Sequence, residues 1–317
     1  MKTYGRFQLV VSHGEGCSLF DTDGKRYLDF AAGISTCCLG HANERLITAV
    51  EQQIRKVHHV SNLYYIPQQG ELARRLVAST CADRAFFCNS GAESNEAAIK
   101  LARKHAYTKL GADEPVIITA LNSFHGRTLA TITATGQPKY QENFGPLPQG
   151  FEYVPYNDCD ALRTLVKKIN GNPLKRGRKL AAILLEPLQG EGGITPATKE
   201  FFQLARELCD ETGALLMADE VQTGMGRSGK MWGYMHHEVG AHRARHRAHH
   251  RASHPNPPRP HPTRMRQLAA LERTRRSLAA RTDAAIAPSA APARCHPLLL
   301  RFSISCHISC IRWRWTC

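Results

Sequence analysis

Short apolar runs alternate with amphipathic stretches between residues 85 and 218, and this alternation predicts a repeating strand–helix order. The apolar runs are four or five residues long, as expected for buried strands. They cover residues 85–88, 116–120, 181–185 and 214–218, and a further strand begins at 153. Stretches with one apolar face predict helices at residues 92–110, 160–169 and 199–212. Because fully apolar strands joined by helices are typical of parallel sheets, we predict an α/β fold, with helices on both faces of a mostly parallel sheet.

The first 80 residues have a different pattern. Residues 18–30 predict a hairpin, because two strand-like pieces flank a turn in which Gly24 can adopt positive φ. Residues 43–58 predict an amphipathic helix, and residues 68–79 predict a second, shorter helix. The apolar stripe of the first helix consists of Leu46, Ile47, Val50, Ile54 and Val57.

The composition is that of an ordinary globular protein. Of the 317 residues, 42% are hydrophobic and 22% are charged, which excludes fibrous, fully disordered and disulfide-knot proteins. No run of 18 apolar residues occurs, and residues 1–10 lack the apolar segment of a secretory signal, so no transmembrane helix and no targeting segment are predicted. Seven of the eleven cysteines precede residue 241 and form no CxxC pair, which indicates a reducing, intracellular compartment.

Charge divides the chain at about residue 240. Residues 1–240 contain 27 Lys+Arg and 25 Asp+Glu, a net charge of +2, whereas residues 241–317 have a net charge of +13. This tail is rich in Arg, His and Pro and contains neither Gly nor Lys. We interpret it as disordered, or as the product of a shifted reading frame or a retained intron. In the alternative hypothesis, the tail binds nucleic acid or an anionic surface electrostatically.

Polar residues follow the predicted strands, at the edge of a parallel sheet where ligands bind. Ser90 and Gly91 lie between a strand and a helix, which suits a phosphate site, although a plain helix cap has the same pattern. In the next group, Arg127 is suited to bind a carboxylate and Phe124 to stack on a flat ring. An ordinary loop with one core aromatic residue remains the alternative there.

Carboxylates follow two further strands. Asp219 comes directly after residues 214–218, and a buried carboxylate at that position requires a partner. A protonated heterocyclic nitrogen would be a suitable partner, and capping of the following turn is the alternative. Glu186 and the glycines of residues 190–193 follow the strand at 181–185, and they indicate either close approach of a ligand or a glycine-rich turn.

Four motifs occur in order and carry a resemblance to a known family: NSGAESNEAAIKLAR, SFHGRTLATITATGQPKY, LLEPLQGEGG and DEVQTGMGRSGK. Together with GHAN and HHVSNLYY, they make residues 1–240 similar to the class III aminotransferases, which are pyridoxal-phosphate (PLP) enzymes of fold type I. The resemblance implies a homodimer, and relatives work in cytoplasm, mitochondria or plastids. The motifs are most similar to those of members that transfer the terminal amine of N-acetylornithine to 2-oxoglutarate in arginine biosynthesis. Enzymes of the ornithine and 4-aminobutyrate type share them and remain alternatives.

The resemblance implies a role for each of ten residues and gives no metal site. Ser90, Gly91 and Ala92 bind the cofactor phosphate, Phe124 stacks on the ring, and Asp219 pairs with the ring nitrogen. Val221 packs on the opposite ring face, Gln222 reaches the ring hydroxyl, and His125 completes the cofactor set. Arg127 binds the α-carboxylate of the substrate, and Glu191 is a gating acid that pairs with an arginine from the C-terminal part.

The resemblance ends near residue 240. It predicts residues 1–60 to be part of a small domain, residues 61–240 to be an incomplete PLP-binding domain, and the C-terminal part of the fold to be missing. The family's Schiff-base lysine would fall near position 248, which is Ala248 here, and the last lysine of the chain is Lys230. No other side chain type in this window forms that bond, so no catalytic lysine can be identified and we predict an inactive chain.

Overall fold

The computed structural model describes residues 4–171 and 177–239, together with the backbone of residues 299–303 and 308–311. Its strands are β1 (Val11–Glu15), β2 (Ser18–Asp21), β3 (Arg26–Leu28), β4 (Arg84–Phe87), β5 (Glu114–Ala120), β6 (Phe151–Val154), β7 (Arg178–Leu185), β8 (Leu188–Gln189), β9 (Thr195–Pro196), β10 (Leu215–Glu220), β11 (Leu299–Ser303) and β12 (Ile308–Ile311). Its α-helices are α1 (Ala32–Ser35), α2 (Glu44–Ile54), α3 (Pro67–Ala78), α4 (Gly91–His105), α5 (Leu129–Ala134), α6 (Pro138–Gln141), α7 (Cys159–Asn170) and α8 (Lys199–Thr212). Within these described residues, no helix has the length and apolarity needed to cross a lipid bilayer.

Seven of the described strands form one sheet in the order β4-β12-β11-β10-β7-β5-β6. Strands β6, β5, β7, β10 and β11 pair in parallel, whereas β12 is antiparallel to both β11 and β4. The predicted α/β fold with a mostly parallel sheet is therefore confirmed. Because parallel strands end at one edge, this order brings the loops after β5, β7 and β10 close together.

Strands β11 and β12 come from the tail, and the sequence analysis did not predict them. The backbone of Leu216–Glu220 pairs with that of Leu299–Ser303, and Ile308–Ile311 pairs with β4. Both strands are short, and their partners lie far away in sequence, so no local pattern specifies the pairing. The rest of the tail, including position 248, lies outside the described residues.

The sheet is covered on both faces, because alternate residues of each strand enter different cores. Ile183 on β7 packs in the core that contains Phe201 and Phe202 of α8, whereas its neighbour Leu184 packs in the core that contains Ile99 of α4. All five side chains are at most 2% exposed. Burial of one such side chain stabilises a fold by about 1.5–3 kcal/mol, so these two cores hold the sheet in place.

Side-chain caps mark the start of four of the longer helices in the described residues. At four helices, the N-cap side chain accepts a hydrogen bond from a backbone N–H of the first turn. These N-cap residues are Asn43 (α2), Ser90 (α4), Asp158 (α7) and Thr198 (α8). The helix predicted at 92–110 is α4 followed by a π-helical turn over Ala106–Leu110, which ends at Gly111 with φ 62°.

The N-terminal hairpin is confirmed as β2 and β3, and β1 extends it to a three-stranded antiparallel sheet. The predicted helix at 43–58 is α2, which is shorter at both ends. Its apolar stripe does not enter a core formed by the described residues: Val50 is 54% exposed and Ile54 is 57% exposed.

Candidate functional site

Strand β10 carries two adjacent buried carboxylates to the edge of the sheet. Side chains alternate between the two faces of a strand, so Asp219 and Glu220 meet different groups. Glu220 accepts hydrogen bonds from the Thr223 hydroxyl at 2.7 Å and from the backbone N–H groups of Gly233 and Tyr234, each at 2.8 Å. Glu220 therefore fixes the loop after β10. Asp219, on the opposite face of the strand, contacts a different set of residues.

Asp219 is 4% exposed and is held by donors from two other elements. Its Oδ2 accepts a hydrogen bond from Nδ1 of His125 at 2.8 Å and another from Nδ2 of Asn95 at 2.9 Å. Its Oδ1 accepts the backbone N–H of Val221 at 3.1 Å. The carboxylate is therefore paired, as a buried charge must be, and one oxygen is more heavily used than the other.

His125 is the imidazole partner of Asp219. Burial lowers the pKa of His125, but the hydrogen bond and negative charge of Asp219, with a smaller contribution from Glu186, outweigh burial and raise the pKa above its ordinary value. Within the described part of the chain, Nε2 of His125 and Oδ1 of Asn95 are buried without a hydrogen-bond partner. The raised pKa favours an ion pair between His125 and Asp219, and two polar atoms of the cluster have no hydrogen-bond partner among the described residues.

A third buried acid, Glu186, follows β7 and contacts the same loop. Its Oε1 accepts the backbone N–H of Phe124 at 3.0 Å. Burial raises the pKa of Glu186 to about 7; the charge of His125 opposes this shift, and that of Asp219 adds to it. Glu186 can therefore exchange a proton near neutral pH, although its side chain is only 6% exposed.

Ser90 caps α4, as the alternative interpretation of its motif predicted. Its Oγ accepts the backbone N–H of Glu93 at 3.1 Å, and the Glu93 carboxylate accepts the backbone N–H of Asn89 at 2.6 Å. The first backbone N–H groups of a helix have no partner inside the helix and lie at its positive end. Ser90 can therefore cap α4 while the backbone N–H groups at Gly91 and Ala92 bind an anion.

The loop that contains Phe124 and His125 packs closely against the start of α4. Gly126 has φ 130°, and a Cβ at this position would lie 2.9 Å from Cβ of Ala92 and 2.7 Å from Oγ1 of Thr131. Both the backbone conformation and the close approach therefore require glycine. This contact connects the predicted phosphate site at the start of α4 with the Asp219 cluster, which consists of Asp219, His125 and Asn95.

Arg127 and Glu191 are brought together by Tyr140. The Arg127 guanidinium lies 5.2 Å from the centroid of the Tyr140 ring, and the Tyr140 hydroxyl donates to Oε2 of Glu191 at 3.3 Å. Phe124 meets the same ring edge to face, with 5.5 Å between ring centroids. Tyr140 is therefore the centre of a group that includes three predicted site residues.

Val221 and Gln222, which follow the two carboxylates of β10, are the last of the predicted cofactor-binding residues. The side chain of Val221 is half-buried, next to Asp219 in the chain. Gln222 donates from Nε2 to the backbone carbonyl of Ile34 at 3.4 Å, so its amide contacts the N-terminal region. Gly190 lies beside it, since a Cβ there would be 3.8 Å from Cγ of Gln222.

A cavity of about 460 Å³ adjoins the Ser90 end of this arrangement. Its lining mixes polar side chains, such as those of Asn89, His58 and Gln68, with apolar ones such as those of Val57 and Phe87. Asp219 does not line it, so this cavity and the buried cluster are different features.

Sequence reasoning missed two residues that the fold brings into the site. Asn95 lies in the second turn of α4 and contacts Asp219, 124 positions further along the chain. Tyr140 is the last residue of a motif quoted above, but its contact with Glu191 joins α6 to the turn between β8 and β9. Asn95 is buried on α4 together with the polar residues Ser94 and His105, so its polar type alone did not single it out.

Comparison with known proteins gives consistent results. The family model for class III aminotransferases matches residues 1–242. The acetylornithine aminotransferase of a Nostoc species is 61% identical over 234 residues, and that of a Synechocystis species is 60% identical over 238. The crystal structure of ornithine aminotransferase from Toxoplasma gondii matches with a TM-score of 0.69 at 32% identity. N-acetylornithine aminotransferase from Stenotrophomonas maltophilia matches with a TM-score of 0.61 at 40% identity.

These alignments cover only part of each relative. The two curated matches cover 74% of this chain and 54% of the relative, so the chain spans about half the length of the curated relatives it matches. The two structures cover 75% and 74% of this chain, and 55% and 56% of their own. Since the family model covers more than half of this sequence, the chain belongs to the class III aminotransferases.

Proposed function

We propose that this chain binds PLP at the Asp219 cluster, and that the complete enzyme of this type transfers the terminal amine of N-acetylornithine to 2-oxoglutarate. Class III aminotransferases depend on PLP. The identity of 60% and 61% to acetylornithine aminotransferases supports this substrate over ornithine or 4-aminobutyrate. The observation that carries the proposal is the buried carboxylate of Asp219 at the end of β10.

The hydrogen bonds of Asp219 fit a protonated ring nitrogen. A carboxylate offers about four lone-pair sites, two on each oxygen. Among the described residues, His125 and Asn95 fill both sites on Oδ2, and the N–H of Val221 fills one on Oδ1. The remaining site on Oδ1 suits a cationic N–H, and the carboxylate favours the protonated form of that nitrogen. When bound, PLP supplies an electron sink for the carbon next to the reacting amine.

We propose that the remaining cofactor contacts come from three loops. The N-terminus of α4, with Ser90, Gly91 and Ala92, holds the phosphate through backbone N–H groups and the Ser90 hydroxyl. Phe124 and Val221 pack on the two ring faces, and Gln222 binds the ring hydroxyl. His125 supports Asp219 directly, since it donates a hydrogen bond to that carboxylate.

We assign substrate recognition to the Tyr140 group. Arg127 forms no ion pair among the described residues, and its guanidinium lies over the rings of both Tyr140 and Tyr4. A planar guanidinium held in this way is suited to bidentate binding of the substrate α-carboxylate. Glu191, which accepts a hydrogen bond from the Tyr140 hydroxyl, would act as the gating acid beside Arg127.

We further propose that the chain as printed binds PLP but does not turn over, because its sequence has no lysine after Lys230. The complete enzyme would be a homodimer. We propose a reducing, intracellular compartment, because the seven cysteines before residue 241 form no CxxC pair in the sequence.

Fluorescence titration of the 317-residue chain with PLP tests the proposal. We expect saturable binding by the wild type, and affinity at least about tenfold lower for Asp219→Asn, because the variant loses the charge that pairs with the ring nitrogen. Asp210→Asn is the matched control, since this carboxylate pairs with Arg206 on α8 away from the site. Equal affinities for the wild type and Asp219→Asn would contradict the assignment of Asp219.

An activity assay tests the second part. With N-acetylornithine and 2-oxoglutarate present, we expect PLP-loaded chain to produce no glutamate above the rate of free PLP. Measurable turnover would overturn the argument from the missing lysine. Calorimetric titration of N-acetylornithine, ornithine and 4-aminobutyrate into the PLP-loaded chain then ranks the three amines, and N-acetylornithine should bind most tightly.

A further inference from the structure

We propose that Asn95 is a positioning residue, whose side-chain amide holds the Asp219 carboxylate in the orientation that pairs with the ring nitrogen of PLP. The inference rests on the proposed function, since it assigns a partner to Asp219. Asn95 lies on α4, is 1% exposed, and contacts two other elements of the site.

The two contacts determine which way the amide faces. Nδ2 of Asn95 lies 2.9 Å from Oδ2 of Asp219 and 2.8 Å from the backbone carbonyl oxygen of His125. Both neighbours accept hydrogen bonds, so only the NH₂ group can face them. The opposite orientation would place the Asn95 oxygen against two acceptors.

These two hydrogen bonds are accompanied by an energetic cost on the other side of the amide. Oδ1 of Asn95 is buried without a partner among the described residues, and an unsatisfied buried acceptor destabilises a fold. An apolar side chain of similar size would avoid this cost. We infer that the amide serves the site: it connects α4, the loop of His125 and the end of β10.

The consequence for Asp219 is a single orientation. With His125 and Asn95 on Oδ2, the carboxylate cannot rotate without breaking two hydrogen bonds to charged or strongly polar donors. Its Oδ1 is therefore kept toward the position assigned to the ring nitrogen. Loss of the Asn95 donor would remove one of these two restraints.

The test compares PLP with a PLP analogue in which a C–H group replaces the ring nitrogen. We would titrate both ligands into wild-type chain, Asn95→Leu and Asn95→Ala, after thermal unfolding has verified that each variant folds. Asn95→Leu has a similar shape without the donor, and Asn95→Ala removes the amide altogether. Thr133→Val is the matched control, because it removes a buried hydroxyl that bonds only within α5, to the carbonyl of Leu129 at 2.7 Å.

We expect wild-type chain and Thr133→Val to prefer PLP over the analogue. Both Asn95 variants should bind PLP about tenfold more weakly and bind the analogue unchanged, so that the preference is lost. A merely structural role would weaken both ligands by the same factor, and that result, or unchanged PLP affinity, would overturn the role of Asn95. A wild type without any preference would instead overturn the role of Asp219 and, with it, this inference.

Discussion

Helices α2 and α8 are both amphipathic in sequence, yet only one of them is buried. On α8, seven residues are buried, and Phe201 and Phe202 are fully enclosed between the helix and the sheet. On α2, no residue is buried, and Leu46, Val50 and Ile54 are at least half exposed. The two helices belong to the two regions of the chain, the N-terminal region (residues 11–60) and the sheet region (residues 84–239).

The difference shows what amphipathicity does and does not specify. An apolar stripe at helical spacing predicts a helix and identifies its apolar face. Burial also requires a partner surface, which β7 and β10 provide for α8. The stripe of α2 has no such cover from the described residues, and the chain spans about half the length of its curated relatives. Stability should therefore respond very differently to changes in the two regions.

The largest effect is expected in the core of the sheet region. Phe201→Ala removes a fully buried ring that packs edge to face on Tyr156, with 5.7 Å between ring centroids. The cavity should lower the free energy of unfolding by about 3–5 kcal/mol, measured by urea denaturation. The control on the other helix is Ile54→Ala, which should change it by less than about 0.5 kcal/mol. A comparable loss in both variants would show that α2 is buried in solution.

An intermediate effect is expected at the buried acid Glu186, and it depends on pH. Burial raises the pKa of Glu186 from 4.5 to about 7. Between these values the unfolded chain ionises this carboxyl while the folded chain keeps it protonated, so the folded state loses stability as pH rises. Glu186→Gln stays neutral and retains an acceptor for the N–H of Phe124.

The variant should therefore gain stability relative to wild type as pH rises from about 4.5 to about 7, by roughly 1–3 kcal/mol in total. Urea denaturation of both proteins across this pH range measures the difference. If the difference in the free energy of unfolding between the two proteins did not change with pH, solvent would reach Glu186. The sheet region would then bury apolar side chains but not this acid.

The smallest effect is expected on the stripe of α2. Val50→Lys places a charge at a position that is 54% exposed, so the folded state does not have to bury it. The free energy of unfolding should change by less than about 0.5 kcal/mol in urea denaturation. A loss of several kcal/mol would indicate that another surface covers the stripe.

Most elements of the sheet region could be predicted, because each depends on neighbouring residues. Strands β5, β7 and β10 are short apolar runs, and α4, α7 and α8 begin at capping residues that the sequence displays. The pairing of β11 with β10 could not be predicted, since it joins residues about 80 positions apart. Register between such distant segments depends on the whole sheet.

The candidate site divides in the same way. Asp219, Arg127 and Ser90 stand in motifs that can be read directly from the chain, and their chemical types limit what each can bind. Asn95 and Tyr140 join the site through contacts with residues 124 and 51 positions away, so no local motif relates them to their partners. Sequence alone indicated the family, the order of the main strands and helices between residues 84 and 220, and the acids and donors available to the site. Folding established which of these groups meet, which helix is buried, and which carboxyl has its pKa raised to about 7, because those properties depend on distances and burial between segments remote in the chain.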